Sequence, residues 1–281
     1  MLGAIYAMVG VALTLSIGVL KFLNFSIPGL FMLAGMTTWA LVHAGVPWPF
    51  AAAAALAVGA LAALVVERFT WRWMRGAGPF VPLLSSMAFL ILFENLAVAY
   101  WGSDLRTMPP LFGSADWRVA NLVVSLPQLI GLACSIALVA GLSLLLRKSR
   151  IGRVLRTIAE DSDIALLLGV DIHRIVPLVF VISGLFAALA GVLFAINYRQ
   201  VHPFMGEVLG LKGISAMVIG GMGNVWGAIA GGLVIGLVEV LSIDAFGADF
   251  VDIAVYGLLL AILILRPTGL FGGVETTGAR A

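Results

Sequence analysis

Residues 147–174 read RKSRIGRVLRTIAEDSDIALLLGVDIHR, the one long polar stretch of the chain, and an apolar segment stands on either side of it. Arg147, Lys148, Arg150, Arg153 and Arg156 crowd its first part, and Glu160, Asp161 and Asp163 follow. Basic residues close to the ends of spanning helices are retained on the cytoplasmic side, so this stretch is expected to be a cytoplasmic loop. From Arg153 to Leu168 there is no Pro or Gly, and Val154, Leu155, Ile158, Ala165 and Leu168 fall near helical spacing. Gly169 then supplies a C-cap. The spacing predicts a short amphipathic helix held near the membrane surface. Two readings fit it: a helix anchored on anionic headgroups, or a helix that docks a soluble partner.

Outward from this loop the chain is apolar. Of its 281 residues 62% are hydrophobic and 11% charged, far below the roughly 25% charge of soluble domains. Runs of about 20 apolar residues recur, each long enough to cross about 30 Å of hydrocarbon. The fold class is therefore an all-α polytopic membrane protein in one transmembrane domain over 1–281; a β-barrel would show short alternating segments instead. The single cysteine, Cys134, excludes an intramolecular disulfide. No basic n-region precedes the first apolar segment, which is expected to stay in the mature protein.

In order, the apolar segments cover about 2–20, then a second to about 42, 50–66, 81–101, 126–146 and 175–196, followed by 225–241 and 250–265. Between 175–196 and 225–241 lies Glu207–Gly223, glycine-punctuated and carrying Lys212, which reads as a short or re-entrant segment. The pattern predicts eight to nine transmembrane segments plus the loop helix. An external N-terminus places Lys21, the Arg68–Arg75 cluster, the 147–174 loop and Arg266 inside, and leaves Arg106, Arg118 and Arg199 outside. The C-terminus is then cytoplasmic. No polar stretch is long enough for a soluble core. The chain lacks a GxxxxGK[ST] phosphate loop, HExxH and GxSxG, and its histidines fall at predicted loops without metal-ligand spacing. Nothing in it points to an enzyme, a metal site, a cofactor or nucleic acid.

Polar groups at membrane depth are costly and are candidates for function. Asn24 and Ser26 stand at a break in the apolar pattern; the alternative is a simple turn between two spans. Glu94 and Asn95 interrupt the fourth segment, and Glu239 lies deep in its own; each could meet a substrate or hydrogen-bond a neighbouring helix. Tyr6 reads as packing. Gly223, Gly227, Gly231, Gly232 and Gly236 include GxxxG spacings, which let helices approach closely within the chain or across a dimer.

Four landmarks add a resemblance. GVLKFLNFSIPG after the first segment, IGRVLRTIAEDSDIALLLGVDIHRI in the loop, GLKGISAMVIGGMGNVWGAIAGGLVIGLVEVL and the terminal LRPTGLFG occur in an order that resembles, nearly end to end, the shorter permease of branched-chain amino acid ABC importers. DIALLLG at Asp163–Gly169 resembles the pattern by which importer permeases present a coupling helix to their ATPase. Two departures stand out: Ser26, Ile27 and Pro28 follow Asn24-Phe25 where the family usually has Ala-His, and Glu94 replaces a usual Gln. The resemblance implies half of a translocation path for branched-chain or related hydrophobic amino acids in a bacterial cytoplasmic (inner) membrane. It implies a second homologous permease subunit, two cytoplasmic ATPase subunits that bind the ATP, and a periplasmic or lipid-anchored substrate-binding protein. Arg153, Arg156, Glu160, Asp161 and Asp163 would contact the ATPase, with Ala165 and Gly169 shaping the docked helix. The competing readings are a stand-alone secondary carrier or channel, and an ABC permease for urea or short amides.

Overall fold

The structure, a computed structural model, describes residues 1–74, 78, 80–109, 111, 116–119, 122–160 and 162–272. Arg75 and Asp161, singled out above, lie outside the described residues, and Asp163 is described by its place in the backbone alone. Helices α1 (Leu2–Leu20), α2 (Ser26–His43) and α3 (Trp48–Val66, continued by a π-helical turn over Glu67–Arg72) lead into α4 (Phe80–Trp101). Two short strands follow, β1 (Arg106–Thr107) and β2 (Asp116–Val119), then β3 (Leu122–Ser125) and α5 (Leu126–Lys148). The polar loop forms α6 (Arg150–Glu160) and α7 (Ser162–Leu167). After it come α8 (Ile172–Tyr198), β4 (Gln200–Val201), α9 (Met205–Gly220), α10 (Val225–Phe246) and α11 (Val251–Leu265).

Among the described residues eight helices are long and apolar enough to cross a membrane. The segment expected to be short or re-entrant is the 16-residue α9, continuous from end to end. It spans about 24 Å at 1.5 Å per residue. In lipid, where water cannot satisfy peptide groups, helices are the form such sequences must take.

Helix α1 is the axis: every residue from Gly3 to Ser16 is buried. It packs against α8, α9 and α10, while α2 and α3 pack on α8, and α4 on α2. Helices α5 and α11 are peripheral, with few buried residues. Apolar side chains gain little by leaving lipid for protein, so helix association rests on close backbone approach through small residues. A methyl group added at Gly231 would strike the Ala216 carbonyl, one at Gly227 the Gly220 carbonyl, one at Gly232 the Ala7 backbone, and one at Gly236 the Gly3 backbone. Gly223 differs: it has open space around it and a φ of +86°, a turn glycine between α9 and α10.

The loop helix expected over Arg153–Leu168 is described on either side of residue 161, as α6 and α7. Helix α6 also begins earlier than expected, because the Ser149 hydroxyl accepts the Gly152 N–H at 2.9 Å and caps the new turn. Leu168, counted above on the apolar face, is exposed. At the far end of the bundle β1 pairs with β4 antiparallel, Arg106 opposite Val201, and Trp39 Nε1 donates to the Thr107 carbonyl. That small sheet ties the 102–109 segment to the α8–α9 connection, an arrangement the sequence pattern did not announce.

Candidate translocation site and loop

Three of the intramembrane polar residues meet. Tyr6 on α1 donates its hydroxyl to Glu239 Oε2 at 2.7 Å, and Lys212 Nζ on α9 donates to Glu239 Oε1 at 3.1 Å. Asp252, at the start of α11, has Oδ1 3.6 Å from the same ammonium. Lys212 Nζ also stands 5.8 Å from the centre of the Tyr6 ring, a cation–π distance. Tyr6, Lys212 and Glu239 are 1%, 6% and 8% exposed, so each charge depends on the others: an isolated buried ion is heavily penalised, a paired and hydrogen-bonded one is tolerated.

The glycines set this register. Gly221 and Gly223 turn the chain between α9 and α10, and Asn224 caps α10 by accepting the Trp226 and Gly227 N–H groups. The Gly220–Gly227 and Ala216–Gly231 approaches then bring Lys212 level with Glu239. The Gly3–Gly236 and Ala7–Gly232 approaches bring Tyr6 to the same level from α1.

Beside the cluster is a cavity of about 360 Å³, with Tyr6, Lys212 and Glu239 on its wall together with Tyr198, Phe194 and His202. That volume lies in the range of about 300–1,000 Å³ typical of small-ligand sites. An ammonium and a carboxylate side by side in an aromatic-lined cavity are complementary to a zwitterion with an apolar side chain. His202 lies in the connection before α9, outside the spanning segments; its Nδ1 accepts the Phe204 N–H at 3.2 Å, and burial lowers its pKa from 6.5. Both features favour the neutral imidazole.

The other candidates lie elsewhere. Asn24 Oδ1 accepts from the Ser26 N–H at 3.1 Å and the Ser26 hydroxyl at 2.7 Å, with both residues buried, so the pair caps α2 locally. Ser86 on α4 accepts the adjacent Phe25 N–H at 3.0 Å. Glu94 is buried, its Oε1 lacks a hydrogen-bond partner, and Glu207 in the first turn of α9 acts on it electrostatically. Asn95 points outward and bonds its own helix through the Ile91 carbonyl at 2.8 Å. No hydrogen bond or ion pair among the described residues joins Glu239 to these four.

Sequence reasoning read Tyr6 as packing and His202 as a loop histidine, passed over Tyr198 and Asp252, and noted Lys212 without a partner. One signal was available: an intramembrane lysine requires an intramembrane acid, and Glu239 was a candidate for that acid.

The loop is built differently. Leu155 and Ile158 on α6 are buried against the bundle while Arg153, Arg156 and Glu160 are exposed. Lys21, at the end of α1, donates to the Ala159 carbonyl and holds the C-terminal end of α6. Ala165 on α7 is fully buried, and Gly169, at φ +80°, closes that helix with Val170 N–H bonded to the Ala165 carbonyl at 3.0 Å. Leu166, Leu167 and Leu168 are left 55%, 87% and 71% exposed.

Residues 1–265 match the family model described as "Branched-chain amino acid transport system / permease component". The chain is 30% identical to the high-affinity branched-chain amino acid transport system permease protein BraD of Pseudomonas aeruginosa, over 97% of this chain and 93% of that one. It is equally 30% identical to the corresponding LivH protein of Escherichia coli K12, over 98% of this chain and 93% of the relative. The ribose import permease protein RbsC of Bacillus subtilis is 25% identical over 67% of this chain and 60% of its own length.

Proposed function

The chain belongs to the branched-chain amino acid transport permease family, and from that premise we propose that it is the transmembrane permease subunit of an ATP-binding-cassette importer. It supplies half of a translocation path for branched-chain or related hydrophobic amino acids. A second, homologous permease supplies the other half, two cytoplasmic ATPase subunits bind and hydrolyse ATP, and a periplasmic or lipid-anchored binding protein delivers the solute. The chain itself performs no chemistry.

The observation that carries this reading is the surface of the α6–α7 loop. Its apolar face is already spent on the chain's own bundle through Leu155, Ile158 and Ala165. A helix merely lying on lipid would keep that face for the membrane. What remains outward is a set of cations, Arg153 and Arg156 with Glu160, beside the exposed leucines 166–168. Exposed apolar residues rimmed by charge are the composition of a protein-docking surface. This end of the bundle is cytoplasmic, so the polar cavity at the far end faces the side from which solute arrives. There Glu239 receives the solute's ammonium and Lys212 its carboxylate, while Phe194 and Leu209 line the path of the side chain.

The test is reversal of charge at Arg153 and Glu160 together, with ATPase co-purification and leucine uptake into vesicles as readouts. Association and uptake fall while membrane insertion is unchanged. Unaltered complex yield and uptake would remove the docking assignment. Uptake that survives ATP removal and instead follows an ion gradient would replace the importer by a secondary carrier.

A further inference from the structure

Between α1, α5 and α10 runs a groove apart from the polar cavity. Helix α5 meets the rest of the molecule sparsely, with Gly131, Ser135 and Leu142 as its buried residues. Beside it is a cavity of about 370 Å³ walled by carbon, from Met8 on α1, Leu132 and Val139 on α5, and Ile229 and Leu233 on α10. Ser135 also lines it, but its hydroxyl is already bonded to the Gly131 carbonyl at 2.8 Å. Toward the loop end the groove reaches Trp226, and the Arg147 guanidinium lies 5.7 Å over that ring. A second cavity of about 100 Å³ continues along α1 from Thr14 to Val19, with Arg156 on its wall. The Thr14 hydroxyl there is 1% exposed and has no hydrogen-bond partner.

The polarity of this cleft is ordered. Its first part is carbon, Arg147 stands over Trp226 at the end of that part, and the second part, next to the loop, holds Arg156 and a spare hydroxyl. From Ala4 to Val19 the two cavities follow α1 for about 22 Å at 1.5 Å per residue, against about 15 Å for the hydrocarbon of one leaflet, half of about 30 Å. We propose that this cleft binds one anionic phospholipid, with an acyl chain in the groove between α1, α5 and α10 and the phosphate at Arg147. A guanidinium matches phosphate geometry and holds its charge at any pH. Basic residues at this depth attract anionic headgroups over zwitterionic ones. A helix from a neighbouring subunit would fill the carbon-lined part, but it would leave the cationic mouth and the Thr14 hydroxyl without an acceptor. The bound lipid braces α5 against α1 and so steadies the helix from which the polar loop departs.

The experiment is native mass spectrometry of the purified protein with its associated subunits, delipidated and then offered phosphatidylglycerol or phosphatidylcholine of identical tails. One phosphatidylglycerol is retained in preference to phosphatidylcholine. Arg147→Glu weakens that retention by about thirtyfold, the effect of reversing one cation near an anionic headgroup, and Arg147→Lys keeps most of it. Ile229→Trp fills the groove and lowers retention of both lipids without altering the unfolding temperature, which separates loss of the site from loss of the fold. Equal retention of the two lipids in every variant overturns the proposal, as does failure to retain either. A disulfide from Ile136→Cys to a partner subunit's helix across the groove overturns it as well, because protein then occupies the place assigned to the lipid.

Discussion

Lys212 and Glu239 form the pair on which the centre of the molecule depends. Removing one partner of a buried pair leaves an unbalanced charge, which costs about 3–5 kcal/mol. Lys212→Met therefore lowers the thermal stability of the purified protein severely, and Lys212→Met combined with Glu239→Leu is less damaging than either change alone. A double change that simply adds the two losses, measured by thermal unfolding, would show that the pair is not coupled. Tyr6→Phe is milder, since Glu239 keeps Lys212. His202 gives a pH dependence of definite sign. Its folded-state pKa is lowered by burial from 6.5, so below that value the unfolded chain binds more protons and acidification destabilises the fold. The unfolding temperature falls between pH 7.5 and 5.5, and His202→Asn, which keeps an acceptor for the Phe204 N–H, shrinks the fall. An unchanged difference in the variant would assign it to other groups. At this scale the sequence exposed which residues were costly but not which met. Glu239 and Lys212 each stood out as charges in lipid; Tyr6, an amphipathic ring in an apolar run, did not. Their meeting depends on helix register, and register is set by glycine contacts such as Gly236 on Gly3 that no spacing within one helix reveals.

At the scale of elements the long helices were readable because crossing hydrocarbon demands both length and apolarity. Helix α9 was harder. Its glycines resemble breaks, yet Gly206, Gly210 and Gly213 serve contacts with Pro28 and Val9 inside an unbroken helix. The loop was legible in its charge and partly in its helicity. Its outer ends are set by capping: Ser149 on Gly152 opens α6, and Gly169 closes α7. The same geometry separates two kinds of leucine. Leu155 belongs to the bundle, whereas Leu167 is exposed and on the proposed reading belongs to the ATPase. Leu167→Asp therefore leaves the stability of the isolated chain, read by thermal unfolding, within about 0.5 kcal/mol of the parent's. Recovery of ATPase on an affinity resin drops by tenfold or more, as about 2 kcal/mol at an interface hot spot implies. Full recovery of ATPase with this variant would return the exposed leucines to the lipid surface.

For the whole molecule the proposed reading requires some faces to meet lipid and one to meet a second permease. Helix α11 has Ile253, Leu260 and Ile264 exposed at 68%, 62% and 73%, a face that hydrocarbon satisfies without help. Helix α4 presents Leu84, Met87 and Ile91 outward, and its stripe continues into exposed Asn95. Glu207 is exposed on α9 and acts on Glu94 nearby. An amide and a carboxylate facing lipid at this depth would be penalised, so on the proposed reading the second permease would cover the α4–α9 side. Of the two acids there, Glu207 is exposed and Glu94 is buried. The single cysteine makes the test direct: with Cys134→Ala as background, cysteines are introduced at Asn95 and at Ile264 and the assembled complex is oxidised. Asn95→Cys forms a disulfide with a cysteine-scanned second permease, while Ile264→Cys reacts with lipid-soluble maleimide and forms none. Cross-linking at Ile264 with full lipid access at Asn95 would exchange the two faces.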